Sequence, residues 1–389
     1  MANLSELTAD AYKAAQVVGR ERMGYCNAAL VNSDESVAAL GSNISSMYAP
    51  PATAIPVSPG SVLPDADDQN LTQRSLPVNQ LQGVPIRWSG EQVKRQGQTS
   101  RGSSGQSYET VLGAQIEQAV RALANAIESE VQSAVNARCG YAIGTAGTTP
   151  FASDINLLSD ARAVLDAVGA PEDGLCVVAG NAAVAQLRKN DEFTKGETTN
   201  TDMGMLRTGV LSDIHGMRVY QSGQVDRNRG AASAPAGAQA INLGAGYGVG
   251  DTSFAIDGGA GACPTGSFVQ IDGHTVGGTN VALGVQSKTN TALVTQAGLL
   301  AAVANDADID AVGAQARNVA FHMNAIVIAI RPPMAGRDLA VESIVIMDPK
   351  SQLVFRLAQY PGYMEHQFHV QALFGVYVWQ PEHVVAILG

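Results

Sequence analysis

Charge is scarce in this sequence. Asp, Glu, Lys and Arg together make up 15% of 389 residues, and aromatic residues only 5%. A surface with so few charges leaves room for partners to cover it. Basic residues are the scarcer sign, 24 against 35 acidic ones, for a net charge of -11. That argues against a protein that tracks phosphate backbones, because such binding is driven by Lys and Arg. Cysteine is rare and scattered: Cys26, Cys139, Cys176 and Cys263 form no CxxC pair. Buried or neutral thiols in a reducing cytoplasm are the expectation. Long hydrophobic runs are missing too. The longest, Val319 to Ile330, is interrupted by His322 and Asn324 and is too short and polar to span a bilayer. The opening MANLSELTAD has no basic segment followed by an apolar core, so no secretory signal is expected.

Catalytic signatures are also lacking. The chain contains no GxSxG, HExxH or GxxxxGK[ST] motif. Gly244 to Gly250, GAGYGVG, resembles a phosphate loop in composition alone, since it stands among short strands with no helix to offer a positive N-terminus. His366 and His369 form an HxxH pair, but three-residue spacing on a strand sends them to opposite faces. Asp306, Asp308 and Asp310 alternate like calcium ligands without the later glutamate of a calcium loop. Nothing pairs a nucleophile with a base. No enzyme activity, cofactor or metal is expected.

What the sequence does have is one long helical pattern. From Glu109 to Cys139, Leu112, Ile116, Val120, Leu123, Ile127, Val131 and Val135 fall at gaps of three and four, a single apolar stripe. At about 1.5 Å per residue this predicts a rod of roughly 46 Å, with Gly140 as its stop signal. Upstream, residues 4 to 31 read as a weak amphipathic helix. The proline-punctuated stretch from Ser42 to Ile86 suits a long two-stranded arm better than a compact domain. A basic, Gly/Ser-rich passage follows, with Arg87, Lys94, Arg95 and Arg101 against Glu91 alone. It reads either as a solvated hinge or as a contact with the acidic surface of a neighbouring copy.

Beyond the long helix, a second helix with Ile155, Leu158, Ala161, Val164, Leu165 and Val168 on its face is expected, capped by Ser153 or Asp154 and ended by Gly169. Leu175 to Gly180 reads as a buried strand, Asn181 to Asn190 as a short helix and Met217 to Tyr220 as a strand, which makes a mixed α/β lobe. Residues 231 to 287 hold 13 of the 41 glycines and brief alternating strands, the pattern of a small, barrel-like β-rich insertion. Helix is expected again at Ala297 to Ala304, strand or helix at Val319 to Ile330, and three strands at Val341 to Met347, Leu353 to Ala358 and Phe368 to Trp379.

Several passages, in this order, resemble the major capsid proteins of tailed bacteriophages with the Hong Kong 97-type fold, above all short-tailed-phage coat proteins with an inserted β-domain. They are SLPVNQLQGVPIRW before the long helix, AIGTAGTTPFASDINLLSDARAVLDAVGAPEDGLCVVAG after it, GMLRTGVLSDIHGMRVYQSGQV, RNVAFHMNAIVIAIRPP and the ending FGVYVWQPEHVVAIL. The resemblance implies an α+β fold with a spine helix, peripheral and axial domains, and an extended arm. It divides the chain into an N-terminal arm at 1–41, an extended arm at 42–108, a peripheral domain at 109–174 completed by strands at 341–389, an axial domain at 175–230 and 288–340, and the β-rich insertion at 231–287. It implies a shell subunit whose main partner is itself, in pentamers and hexamers, with scaffolding and portal proteins and room for a decoration protein. Such a shell encloses double-stranded DNA without reading its sequence, sits in the virion, assembles in the host cytoplasm and involves no membrane. An encapsulin-like compartment and a soluble enzyme or binding module with a β-rich accessory domain stay as alternatives.

Overall fold

The long helix runs from Tyr108 to Arg138 in the computed structural model, which describes residues 23–33, 38–48, 72–99, 108–152, 155–190, 213–233, 239–257, 261–334, 340–348 and 352–389. All seven large apolar residues of its stripe are at most 2% exposed. They pack in one apolar cluster with Phe355, Phe368, Val370 and Phe374 of a β-sheet laid beneath the helix. The periodic burial therefore has a physical partner: one helical face against one sheet face.

That sheet runs in the order Leu30–Ser33, Ile326–Arg331, Glu365–Val378, Val354–Gly362, Glu342–Met347. Gln80–Ser89 joins it along Glu365 to Phe374, antiparallel over ten positions. A second, ten-stranded sheet follows the path Ile309–Ala311, Phe268–Ile271, Ala282–Lys288, Tyr141–Ile143, Val384–Leu388, Arg317–His322, Leu175–Ala179, Arg218–Gln221. Ala292–Thr295 and Ser253–Ala255 extend it beyond Ala282–Lys288. Helices Asn156–Val168 and Asn181–Lys189 cover it, with Leu158, Val164, Val184 and Leu187 in its apolar cluster. Gly169 ends the first of these in the left-handed conformation, φ 81°. Its expected caps, Ser153 and Asp154, lie outside the described residues.

The ambiguous run Val319–Ile330 serves both sheets. Arg317–His322 belongs to the second and Ile326–Arg331 to the first, joined by the single turn Met323–Ala325. The chain crosses between sheets again beside it, where Pro381–His383 links Glu365–Val378 to Val384–Leu388. Trp379 donates its backbone N–H to Ala325 O at 2.8 Å, and the His322 and His383 rings stand edge to face at 6.5 Å.

Several expectations need correction. Of the N-terminal helix, residues 4–22 lie outside the described residues. Among the described residues of that stretch, helix is present at Gly24–Ala28, and Leu30–Ser33 is a strand parallel to Ile326–Arg331. Ala297 to Ala304 is not helical, because its backbone is paired elsewhere: Leu299 O accepts from Gly250 N, and Val303 exchanges both backbone bonds with Tyr247. The tail has a fourth strand, Val384–Leu388, all of it buried. Within 231–287, the strands Phe268–Ile271 and Ala282–Lys288 pair with each other, and Ala282–Lys288 pairs with Tyr141–Ile143, so they are continuous with the main sheet.

Candidate interaction surface

Ser42–Tyr48 and Thr72–Val78 form an antiparallel ribbon over seven positions and belong to neither large sheet. This is the two-stranded arm expected from the proline pattern, though residues 49–71, and the extended piece expected at Ala54 to Val57, lie outside the described residues. Among its described side chains the ribbon is anchored at its base, where Leu76 and Val78 are buried against Val327, Ala329 and Leu373 with Ile44 packed beside them. Asn43, Ser45, Gln73 and Ser75 farther along are exposed. A two-stranded ribbon by itself is at best marginally stable in water, so this one gains from a surface to lie on.

The chain then enters the first sheet as Gln80–Ser89 and turns into a helix, Gly90–Thr99, where a solvated hinge was the simpler expectation. The start is a capping box: Ser89 Oγ accepts from Gln92 N at 3.3 Å, and Gln92 Oε1 accepts from Ser89 N at 3.0 Å. Of the four basic residues singled out, Arg87 is exposed on the strand and ion-paired with Glu365 of its own chain. That guanidinium and the Gln367 amide hold the Glu365 carboxyl below its usual range. Lys94 is exposed on the helix and lines a cleft with Glu91, Met364 and His366. Arg95 lies in the same helix, and Arg101 is outside the described residues. The structure thus brings Arg87 and Lys94 to one end of the first sheet.

Sequence reasoning passed over that end's most exposed feature. Val354–Gly362 and Glu365–Val378 are joined by a two-residue turn, Tyr363–Met364, with Tyr363 93% and Met364 74% exposed. The signal was the PGYM dipeptide pair, in which a Pro-Gly turn cue precedes two large apolar residues.

His366 and His369 lie on one strand, three residues apart, and the His369 ring meets Tyr360 edge to face at 5.0 Å. Asp306 stands in a turn at φ 63°, and Asp310 lies in the short strand after it. No group of three or more metal-ligating side chains gathers among the described residues. In the Gly244–Gly250 loop, Gly246 and Gly250 take positive φ, and the next element is the strand Ser253–Ala255, not a helix. The four cysteines form no disulfide, and all are buried. Burial pushes the Cys139 thiol up to about 12 and that of Cys176 up to about 11.

Two buried ionisable side chains meet at the long helix, Glu128 on the helix itself and Arg317 beside its last turn. Glu128 accepts the backbone N–H of Tyr25 at 2.8 Å and of Cys26 at 3.1 Å, while Gln132 Oε1 accepts the Tyr25 hydroxyl at 2.6 Å. Burial raises the Glu128 carboxyl above its ordinary value, against the lowering pull of those hydrogen bonds and of Ser222. Arg317 donates to Asn136 O in the helix's last turn and to Gly266 O, both at 2.6 Å, with its guanidinium 4.2 Å over the Phe268 ring. Burial lowers it to about 10. A cation on the final carbonyls complements the helix dipole, and the same side chain ties the two sheets' regions together.

No protein-family model matches this sequence, and no curated protein matches it. Among solved structures, the chain is similar to one from Mycobacterium phage Che8, at 14% identity over 90% of this chain and 85% of that one, with a TM-score of 0.44. It is similar to the mature capsid of bacteriophage PhiM1, at 10% identity over 94% and 86%, with a TM-score of 0.46. A virus-like particle from Pyrococcus furiosus is similar at 10% identity over 98% and 99%, also with a TM-score of 0.46. All three are distant likenesses.

Proposed function

We infer that this protein is a shell subunit: a major capsid protein that assembles with copies of itself into an icosahedral shell around the double-stranded DNA of a tailed bacteriophage. The observation that carries the reading is the ribbon Ser42–Tyr48/Thr72–Val78. Among its described side chains it is anchored at its base, through Leu76 and Val78 with Ile44 beside them, and it feeds through Gln80–Ser89 into the region of a 31-residue helix laid on a sheet. A folded chain gains little from such an arm unless a neighbour lies beneath it. The order of parts supports the same reading, since it follows the order of the sequence passages that resemble the capsid family.

In this reading residues 1–41 and 42–108 are arms, 109–174 with 341–389 form the peripheral domain, 175–230 with 288–340 the axial domain, and 231–287 a β-rich elaboration. Partners are further copies in pentamers and hexamers, together with scaffolding and portal proteins. The net charge of -11 fits DNA that is enclosed and not gripped.

The test is expression with a scaffolding partner, followed by sedimentation. Closed particles of megadalton mass are expected, and monomers and dimers alone, at every salt and protein concentration, would overturn the reading. The basic residues give a finer probe of the contacts. Arg87 already has Glu365 as its partner, so Lys94 is the cleaner cation to reverse. Lys94→Glu is expected to lower particle yield while leaving the circular dichroism of the unassembled subunit unchanged. Shells at the normal yield would remove Lys94 from the contact.

A further inference from the structure

The tip of the Val354–Gly362/Glu365–Val378 hairpin is unusual for a protein that folds alone. Tyr363 and Met364 are the two most exposed large apolar side chains among the described residues. Met364 also sits at φ 55°, the left-handed region that glycine or asparagine occupies at least cost. A turn selected only for folding would place small or polar residues there. The tip is nonetheless held firmly. Gly362 pairs with Glu365, Ser89 pairs with Glu365 from the other side, Arg87 is bonded to Glu365, and Gly90 N donates to Met364 O at 3.0 Å. A rigid, fully exposed aromatic beside a thioether has the character of an interface anchor.

A receptor of matching chemistry lies on the same molecule. Between Gln80–Ser89 and the long helix is an open cleft of about 500 Å³, walled by Val84, Ile86, Val111 and Ala114. Three polar side chains stand at it: the exposed Gln118 amide, Gln115, whose Oε1 accepts from Trp88 Nε1 at 2.7 Å, and Arg87, ion-paired with Glu365 yet 71% exposed. Apolar walls suit a phenol ring and a thioether, the Gln118 amide suits the phenol hydroxyl, and a guanidinium suits an aromatic face. In its own chain neither Tyr363 nor Met364 lines the cleft. The register of Ser89 on Glu365 fixes the tip past the end of the strand whose earlier residues, Val84 to Arg87, line that cleft.

We propose that Tyr363 and Met364 of one copy insert into the Val84–Ala114 cleft of the next, a head-to-tail contact that repeats around a closed assembly. This rests on the shell reading and names one of its subunit contacts. Unlike surfaces meeting in this way generate rings and closed shells when the rotation closes.

Two variants and one cross-link test it. Tyr363→Asn with Met364→Gly installs a favoured turn, so the subunit is expected to unfold at the same temperature or higher while particle yield falls at least tenfold. Particles at the wild-type yield would overturn the proposal. For the contact itself, Tyr363→Cys protein is mixed with Ala114→Cys protein and treated with a short bis-maleimide. The native cysteines are all buried, so the introduced thiols are the ones exposed. A covalent pair is expected from the mixture and not from either protein alone. Particles without the mixed pair would overturn this contact and leave the shell reading standing. The mixed pair from a protein that never forms particles would keep the contact and overturn the shell. Neither particles nor the pair would overturn both.

Discussion

The long helix and the glycine-rich segment 239–311 hold the chain by opposite means. In the helix the backbone groups between the end turns bond within their own element, and the sequence has mainly to supply one apolar face. Among the described residues of the glycine-rich segment no strand exceeds seven residues, and order comes from backbone bonds between distant positions. Tyr247 pairs with Val303, Gly250 with Leu299, Ile241 with Ala307 and Gln239 with Ile309, so residues 239–251 zip antiparallel against 299–309. The helix is secured by side-chain chemistry on one stripe. The other region is secured by how closely backbones approach, which is where glycine is needed.

If that contrast holds, the helix should break when chemistry changes on the stripe. Leu123 is 2% exposed at mid-stripe, among apolar neighbours. Leu123→Asp buries a carboxylate in that cluster, which costs several kcal/mol and is expected to give insoluble protein. Soluble protein with an unchanged thermal midpoint would show that the stripe does not carry the fold.

The second region should break on volume alone. Gly284 donates to Gly140 O at 2.8 Å, and a Cβ on it would run into the carbonyl oxygen of Cys139, just past the end of the long helix. Gly284→Ala keeps the chemistry apolar and adds one methyl group, yet backbone has to move to admit it. A loss of about 1–3 kcal/mol in urea unfolding is expected, the range typical of overpacking. A matching Gly→Ala change at Gly273, where nothing lies within reach of a Cβ although φ is 84°, separates crowding from backbone strain. Equal losses at both positions would mean that close approach is not what Gly284 supplies.

The same contrast explains what the sequence made legible. A stripe at gaps of three and four needs no knowledge of its partner, so the helix was readable to within a residue at each end. The two-stranded arm was readable because proline excludes most alternatives. Ala297 to Ala304 looked helical because its local composition was judged without Tyr247 and Gly250, which claim its backbone. The N-terminal segment failed in the same way: Gly24–Ala28 is fixed by Glu128, more than a hundred residues on, and Leu30–Ser33 by Ile326–Arg331. One miss was avoidable. Ser-Gly-Glu-Gln at 89–92 is a capping-box pattern, and it announced the helix that replaced the expected hinge. Arg87 and Lys94 were singled out from charge and lie at one end of the first sheet, whereas Tyr363 and Met364 were not singled out, since their exposure depends on the pairing of Gly362 with Glu365.

The smallest expected effect is a slope and not a level, and it concerns a place where the buried face of the helix carries a charge among apolar neighbours. Glu128 is 3% exposed, and its carboxylate holds the first two amides of the Tyr25–Cys26 turn. The groups that face it are Tyr25, Cys26 and Ser222; burial and the Glu128 charge both push the Tyr25 hydroxyl and the Cys26 thiol up, so neither is ionised near neutrality. The cost of burying the charge outweighs the help of the hydrogen bonds, and the folded carboxyl titrates above its unfolded value. The sign follows by linkage. Below the unfolded value both states carry the proton and the cost is absent; as pH rises through the folded value, the folded protein binds the proton longer and its stability declines relative to a neutral side chain. Glu128→Gln removes this titration while keeping an oxygen for one of the two amides. Urea unfolding of the two proteins from acid to neutral pH should therefore show wild-type stability falling relative to the variant as pH rises. Parallel curves would mean that Glu128 titrates alike in both states, and that the amides of Tyr25 and Cys26 fully offset the cost of burying its charge.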